Sequence, residues 1–151
     1  MDRGSILHFP NFTFSNGRSK PKFFIVIYEE GEDLILFSLP TSQQYISNEL
    51  RIEGCNNHTL SNGGYISMYY FPSGKTIGQN GFSFSKDTFC SFSKGLLKGN
   101  QHKINALPFT LEDKMMNSEF LDFLLCIKES DNLQNAYIEL IDRLIDDIEN
   151  L

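Results

Sequence analysis

The chain has no tryptophan, an odd and small number of cysteines, and no long apolar run. Each shortage excludes something. Without a run of about 20 apolar residues there is no membrane-spanning helix. The opening Met1-Asp2-Arg3-Gly4 carries no signal-peptide hydrophobic stretch, so the expectation is a cytoplasmic protein with no membrane partner. The three cysteines, Cys55, Cys90 and Cys126, stand far apart and form no C-x-x-C pair, which predicts reduced, partly buried thiols. His8, His58 and His102 are equally scattered, with no pair at helical ligand spacing, so neither a metal site nor another cofactor is expected. Also missing are a phosphate-cradling glycine loop and a G-x-S-x-G nucleophile turn. With no tryptophan, most of the 14 phenylalanines must fill the core.

What is present is ordinary in bulk and uneven in placement. The 151 residues fit one domain, residues 1–151, with 40% hydrophobic and 21% charged residues. The net charge of −6 conceals a partition. Residues 112–151 hold eleven acids against three bases, leaving ten bases and eight acids in residues 1–111. A slightly basic body joined to an acidic tail keeps a polyanionic partner open for the body.

The texture changes near Pro108. Before it, short apolar or alternating runs broken by Gly, Asn, Ser and Pro predict strands at 6–9, 22–28, 34–39, 65–71, 82–84 and 88–92. The second and third are nearly continuous in apolar residues, as strands buried on both faces are. Residues 51–64 read as a long polar loop. After Pro108 the spacing becomes helical: one or two turns at 110–116, a helix from an N-cap at Ser118 to about Lys128, and a last helix capped by Asp131 or Asn132. The expectation is an α+β protein, with a β part at 1–107 and an acidic helical part at 108–151. The acidic face of the tail has two readings: a solvated face of a helix that packs on the β part or on a partner subunit, which is the usual fate of a charge run, or carboxylates that lie near the basic loop and compete there with a polyanion.

The order of motifs in the first third is the most specific signal. Gly4-Ser5-Ile6 opens a strand, residues 11–15 follow, and a Gly and basic loop leads to Lys20-Pro21 and the apolar strand from Phe23. The next strand ends in Pro40-Thr41-Ser42-Gln43. In this order and spacing the chain resembles the MazF/PemK family of toxin ribonucleases, mRNA interferases of type II toxin-antitoxin systems. A fainter echo lies at residues 85–89. The resemblance implies an SH3-like β-barrel of the MazF, PemK and CcdB type, followed here by amphipathic C-terminal helices. It also implies a homodimer, a cognate antitoxin protein, and metal-independent cleavage of single-stranded RNA by the 2′-hydroxyl, leaving a 2′,3′-cyclic phosphate.

Such a reaction needs a cation for the charge growing on the phosphoryl oxygens, and groups that take and give protons. The resemblance assigns a catalytic threonine to Thr41, with Ser42 as a second hydroxyl, and a catalytic cation to Lys20, where the family has arginine. Lysine lacks the planar fork of arginine, and Arg18 and Lys22 stand close enough in sequence to substitute or assist. The catalytic candidates are therefore Lys20, Thr41, Arg18 and Ser42, and the RNA-binding candidates Phe14, Lys22, Gln43 and Tyr45. The bland reading of the three cations is a solvated hairpin tip. A second function class is a catalytically degenerate barrel that binds RNA or a protein. A gyrase-poisoning toxin resembling CcdB stands further off, because those chains end in a tryptophan-containing segment.

Overall fold

In a computed structural model, residues 2–13, 16–31, 34–42 and 48–151 are described. The protein is α+β, with two antiparallel sheets and, among the described residues, three α-helices. The first sheet contains β1 (Ser5–Thr13), β2 (Ser19–Glu30), β3 (Leu34–Ser38), β8 (Leu97–Gly99) and β9 (Thr110–Lys114), in the order β8-β3-β2-β1-β9. The second contains β4 (Thr41–Ser42), β5 (Gly54–Thr59), β6 (Tyr65–Phe71) and β7 (Thr88–Ser91), in the order β4-β7-β6-β5. The helices are α1 (Gln101–Asn105), α2 (Asn117–Glu129) and α3 (Ile138–Glu149).

The strands β1 to β3 are apolar on both faces because both faces are covered. Ile6, Ile25, Ile27 and Leu36 point into the larger cluster, where they meet Tyr69, Phe71, Cys90 and the apolar sides of α2 and α3. Leu7, Phe9, Phe24, Val26, Ile35 and Phe37 form a second cluster on the other face, closed by Ile104 of α1. Phe24 and Phe37 stack there with ring centroids 4.4 Å apart. In α3 the buried residues are Ile141, Leu144, Ile145 and Ile148, while Glu139, Asp146, Asp147 and Glu149 are exposed. The spacing of the apolar residues thus aims the acids outward.

Five sequence expectations need correction. The last helix is not capped by Asp131 or Asn132: it starts at Ile138, with Tyr137 at its N-cap, after a short 3-10 turn. Residues 110–116 are not helical: β9 pairs with β1, so the first sheet extends across the boundary drawn at residue 108. A Thr–Asp pair three apart resembles a helix cap, but strand pairing with β1 overrides this local signal. Residues 51–64 contain β5, whose Asn-rich sequence hides the strand because edge position leaves little apolar surface to bury. Residues 82–84 lie in no strand; Phe82 and Phe84 serve instead as packing for Phe23. The helix α2 begins one residue before Ser118, with Met116 at its N-cap and no side-chain cap.

The cysteines also differ from expectation. Cys55 on β5 and Cys126 on α2 are joined in a disulfide, with Cα atoms 5.4 Å apart, while Cys90 is a buried free thiol. Closing a loop with 71 residues of separation stabilises the folded chain by about 3–5 kcal/mol on the chain-entropy model. Disulfides are uncommon in reducing compartments, so the bonded pair lends no support to the cytoplasmic expectation. No helix among the described residues is long and apolar enough to cross a membrane.

One buried carboxylate organises the join between β9 and the loop after β6. Asp113 accepts hydrogen bonds from the backbone N–H groups of Asn80 (3.0 Å), Phe82 (3.0 Å) and Lys114 (2.7 Å). The loop passes so close that a Cβ at Gly78 would collide with this carboxylate. Burial alone would raise the Asp113 pKa, but the N–H donors outweigh it and hold the carboxyl below its ordinary 3.8. A carboxylate depressed in the folded state contributes stability above the unfolded value, and that contribution is lost as the pH falls through the folded one. Asp113→Ala should therefore cost about 1–3 kcal/mol at neutral pH by leaving these donors unpaired. Urea titrations should show the difference shrinking below pH 3.8.

Candidate active site

The chain changes sheets at one corner. β3 ends at Ser38 in the first sheet, and after Leu39-Pro40 the chain enters β4 in the second, pairing Thr41 with Phe89 and Ser42 with Thr88 of β7. Proline has no N–H to continue a ladder, so it suits a residue that closes one strand before the next begins. The β1–β2 hairpin ends beside this corner. Its turn lies at Asn16-Gly17, where Gly17 has φ +83° and Asn16 Oδ1 accepts from the Arg18 backbone N–H at 3.0 Å. A single glycine in the left-handed region satisfies the turn without strain.

Hairpin and corner together enclose a cleft of about 260 Å³, lined by His8, Lys20, Pro21, Lys22, Phe23, Pro40, Thr41 and Ser42. Lys22 Nζ donates to Thr41 Oγ1 at 2.9 Å, and the lysine is only 9% exposed. Burial first, and then the Lys20 ammonium, lower the Lys22 pKa from its ordinary 10.5, while the Cys90 side chain acts in the opposite sense. Cys90 is fully buried, and burial pushes its pKa up to about 12, so it stands as a neutral thiol. The cleft therefore holds a desolvated cation bonded to a hydroxyl, a second cation, a second hydroxyl and an imidazole.

No family model, curated protein or solved structure matches this chain. The chemistry of the cleft must therefore be read from its residues.

The structure brings four sequence candidates, Lys20, Lys22, Thr41 and Ser42, to the walls of one cleft. Within that group Lys22, taken from sequence as an RNA contact, is the cation bonded to Thr41. Arg18 is exposed at the hairpin tip and is not among the lining residues, so it does not stand in for the cation of the cleft here. Phe14, Gln43 and Tyr45 lie outside the described residues.

Sequence reading passed over His8. It pairs across the hairpin with Phe23, one register step from the Phe9–Lys22 pair, and lines the same cleft as the lysine.

A second polar network braces the far side of β4. Asp87, just before β7, accepts from Ser73 N–H at 2.9 Å and Tyr70 O–H at 3.0 Å, and forms an ion pair with Arg51. The Ser73 N–H is the chief cause of the lowered Asp87 pKa. Tyr70 also stacks on Phe89, the partner of Thr41, at 4.6 Å. The hydroxyl pair of the cleft is thus mounted on a strand fixed from behind.

A lysine whose folded pKa is depressed binds fewer protons than in the unfolded chain between the lowered value and 10.5. Stability therefore rises with pH across that window. Lys22→Met removes the buried charge and should make the protein more stable near neutral pH. That advantage should narrow as the pH approaches 10.5, which denaturant midpoints at two pH values would measure. A variant less stable than the wild type at neutral pH would mean that the ammonium–hydroxyl bond outweighs desolvation.

Proposed function

We propose that this protein is a MazF/PemK-like endoribonuclease that cuts single-stranded RNA without a metal, through attack of the 2′-hydroxyl on the adjacent phosphate. The observation that carries the reading is the Lys22–Thr41 pair, a cation and a hydroxyl 2.9 Å apart in a cleft further lined by Lys20 and Ser42. In this reading the fold is a small SH3-like barrel, its two sheets joined at the Pro40 corner. A homodimer and an antitoxin protein that blocks the cleft belong to the same proposal.

The chemistry follows from the residues. A phosphodiester carries one negative charge, and more gathers on its two non-bridging oxygens as the 2′-oxygen adds. The Lys22 ammonium, fixed by Thr41 and largely out of water, meets that charge with little reorganisation. Lys20 adds a second positive centre at the mouth. Thr41 and Ser42 offer hydroxyl donors to the same oxygens. A buried ammonium costs stability, and that cost is offset in function when a phosphate arrives to pair with it.

A second reading has its own support. Among the described residues no arginine lines the cleft, so none of them supplies the planar fork that clamps two phosphoryl oxygens. A barrel that binds RNA or a protein partner without cutting would fit that lack.

Incubating the purified protein with long single-stranded RNA in EDTA separates the two. The ribonuclease reading predicts fragments ending in 2′,3′-cyclic phosphate. Thr41→Val and Lys22→Met should each slow cleavage by about 10²–10³, the usual loss for one donor to the developing charge. RNA bound but left intact would favour the degenerate module, and cleavage that required a metal would contradict the proposed mechanism.

A further inference from the structure

Among the described residues that line the cleft one carries an imidazole, a ring that can both give and accept a proton. His8 lines the cleft with Lys20, Lys22, Thr41 and Ser42. Its position is set by three features. It sits in the middle of β1, its cross-strand neighbour is Phe23, and its ring lies tilted on the Phe23 ring with centroids 4.7 Å apart. Phe23 is in turn wedged edge-on against Phe82 and Phe84, at 5.8 and 5.1 Å. The imidazole is half-buried, and among the described residues it makes no hydrogen bond, which leaves its ring nitrogens available to a ligand. An imidazole with a fixed plane and uncommitted nitrogens, in a cleft with two cations, is arranged for proton transfer rather than for holding the fold.

We propose that His8 is a catalytic residue of this site: the general acid that protonates the 5′-oxygen as it leaves. The inference rests on the ribonuclease reading and adds the step that reading lacks. The 2′-oxygen forms a bond to phosphorus and gives up its proton to water. The phosphorus–O5′ bond breaks, and its electron pair goes to O5′. The His8 imidazolium transfers a proton to that oxygen and is reprotonated by solvent. Lys22 and Thr41 hold the non-bridging oxygens throughout and exchange no proton. The products are a 2′,3′-cyclic phosphate and a free 5′-hydroxyl, with charge and protons balanced.

A leaving-group substitution tests this directly. An alkoxide needs its proton to depart at neutral pH, whereas a thiolate does not, so RNA with a 5′-bridging sulfur at the cut site bypasses a general acid. His8→Ala and His8→Gln should cut ordinary RNA about 10²–10⁴-fold more slowly than wild type, yet cut the 5′-thio linkage at nearly the wild-type rate. Thr41→Val should stay slow on both, because the developing phosphoryl charge is common to both. If the His8 variants cut ordinary RNA as fast as wild type, or are equally slow on both linkages, His8 is not the acid while the ribonuclease reading stands. If wild-type protein cuts neither RNA, both readings fall together.

Discussion

The site depends on one constraint: the Lys22 side chain is buried along most of its length, and a charge drawn toward the interior must be given partners. Thr41 supplies one, and everything that places Thr41 follows from the crossing of the chain between sheets. The Pro40 corner ends β3, β4 picks up the edge of the second sheet, and β7 holds β4 from behind through Phe89 and Thr88. Tyr70 and Asp87 then fix β7. A cation on the first sheet and a hydroxyl on the second are thereby set at hydrogen-bond distance. The two sheets meet at the cleft, and the polar pair bridges the join.

The rest of the architecture holds these sheets against each other. β1 to β3 carry apolar residues on both faces, one set in each cluster, so both sides of these strands are packed. α2 and α3 close the larger cluster, and the Cys55–Cys126 bond ties α2 to the edge strand β5. Glu119 of α2, buried, accepts from Tyr69 O–H at 3.1 Å and pairs with Lys75 at 3.1 Å, so the helix is also fastened to β6 by a satisfied polar network. These ties hold together the two sheets that carry Lys22 and Thr41.

Much of this was legible in the residues. The continuous apolar runs of β2 and β3 announced burial on both faces, and the alternation in residues 65–71 marked β6 to the residue. The Gly and basic loop before Lys20-Pro21 announced the entry to β2, and Pro40-Thr41-Ser42 the strand end that carries a hydroxyl pair. What escaped was non-local. β9 resembles a capped helix until its pairing with β1 is known, and β5 looks like loop because an edge strand buries so little. The disulfide joins residues 71 apart, which no spacing rule reaches. In sequence His8 is one of three scattered histidines, and only the fold brings it to the cleft wall. Lys22, not Lys20, holds Thr41 because the lysine two residues further along β2 is the one drawn beneath the corner.

The central claim is that Lys22 and Thr41 form the seat of the scissile phosphate. A crystal structure with single-stranded RNA carrying a 2′-deoxy substitution at the cut site, which cannot be cleaved, tests it most directly. The account predicts one phosphate whose non-bridging oxygens accept from Lys22 Nζ and Thr41 Oγ1, with His8 facing the 5′-oxygen. RNA held only at the hairpin tip around Arg18, with the cleft empty of phosphate, would contradict it.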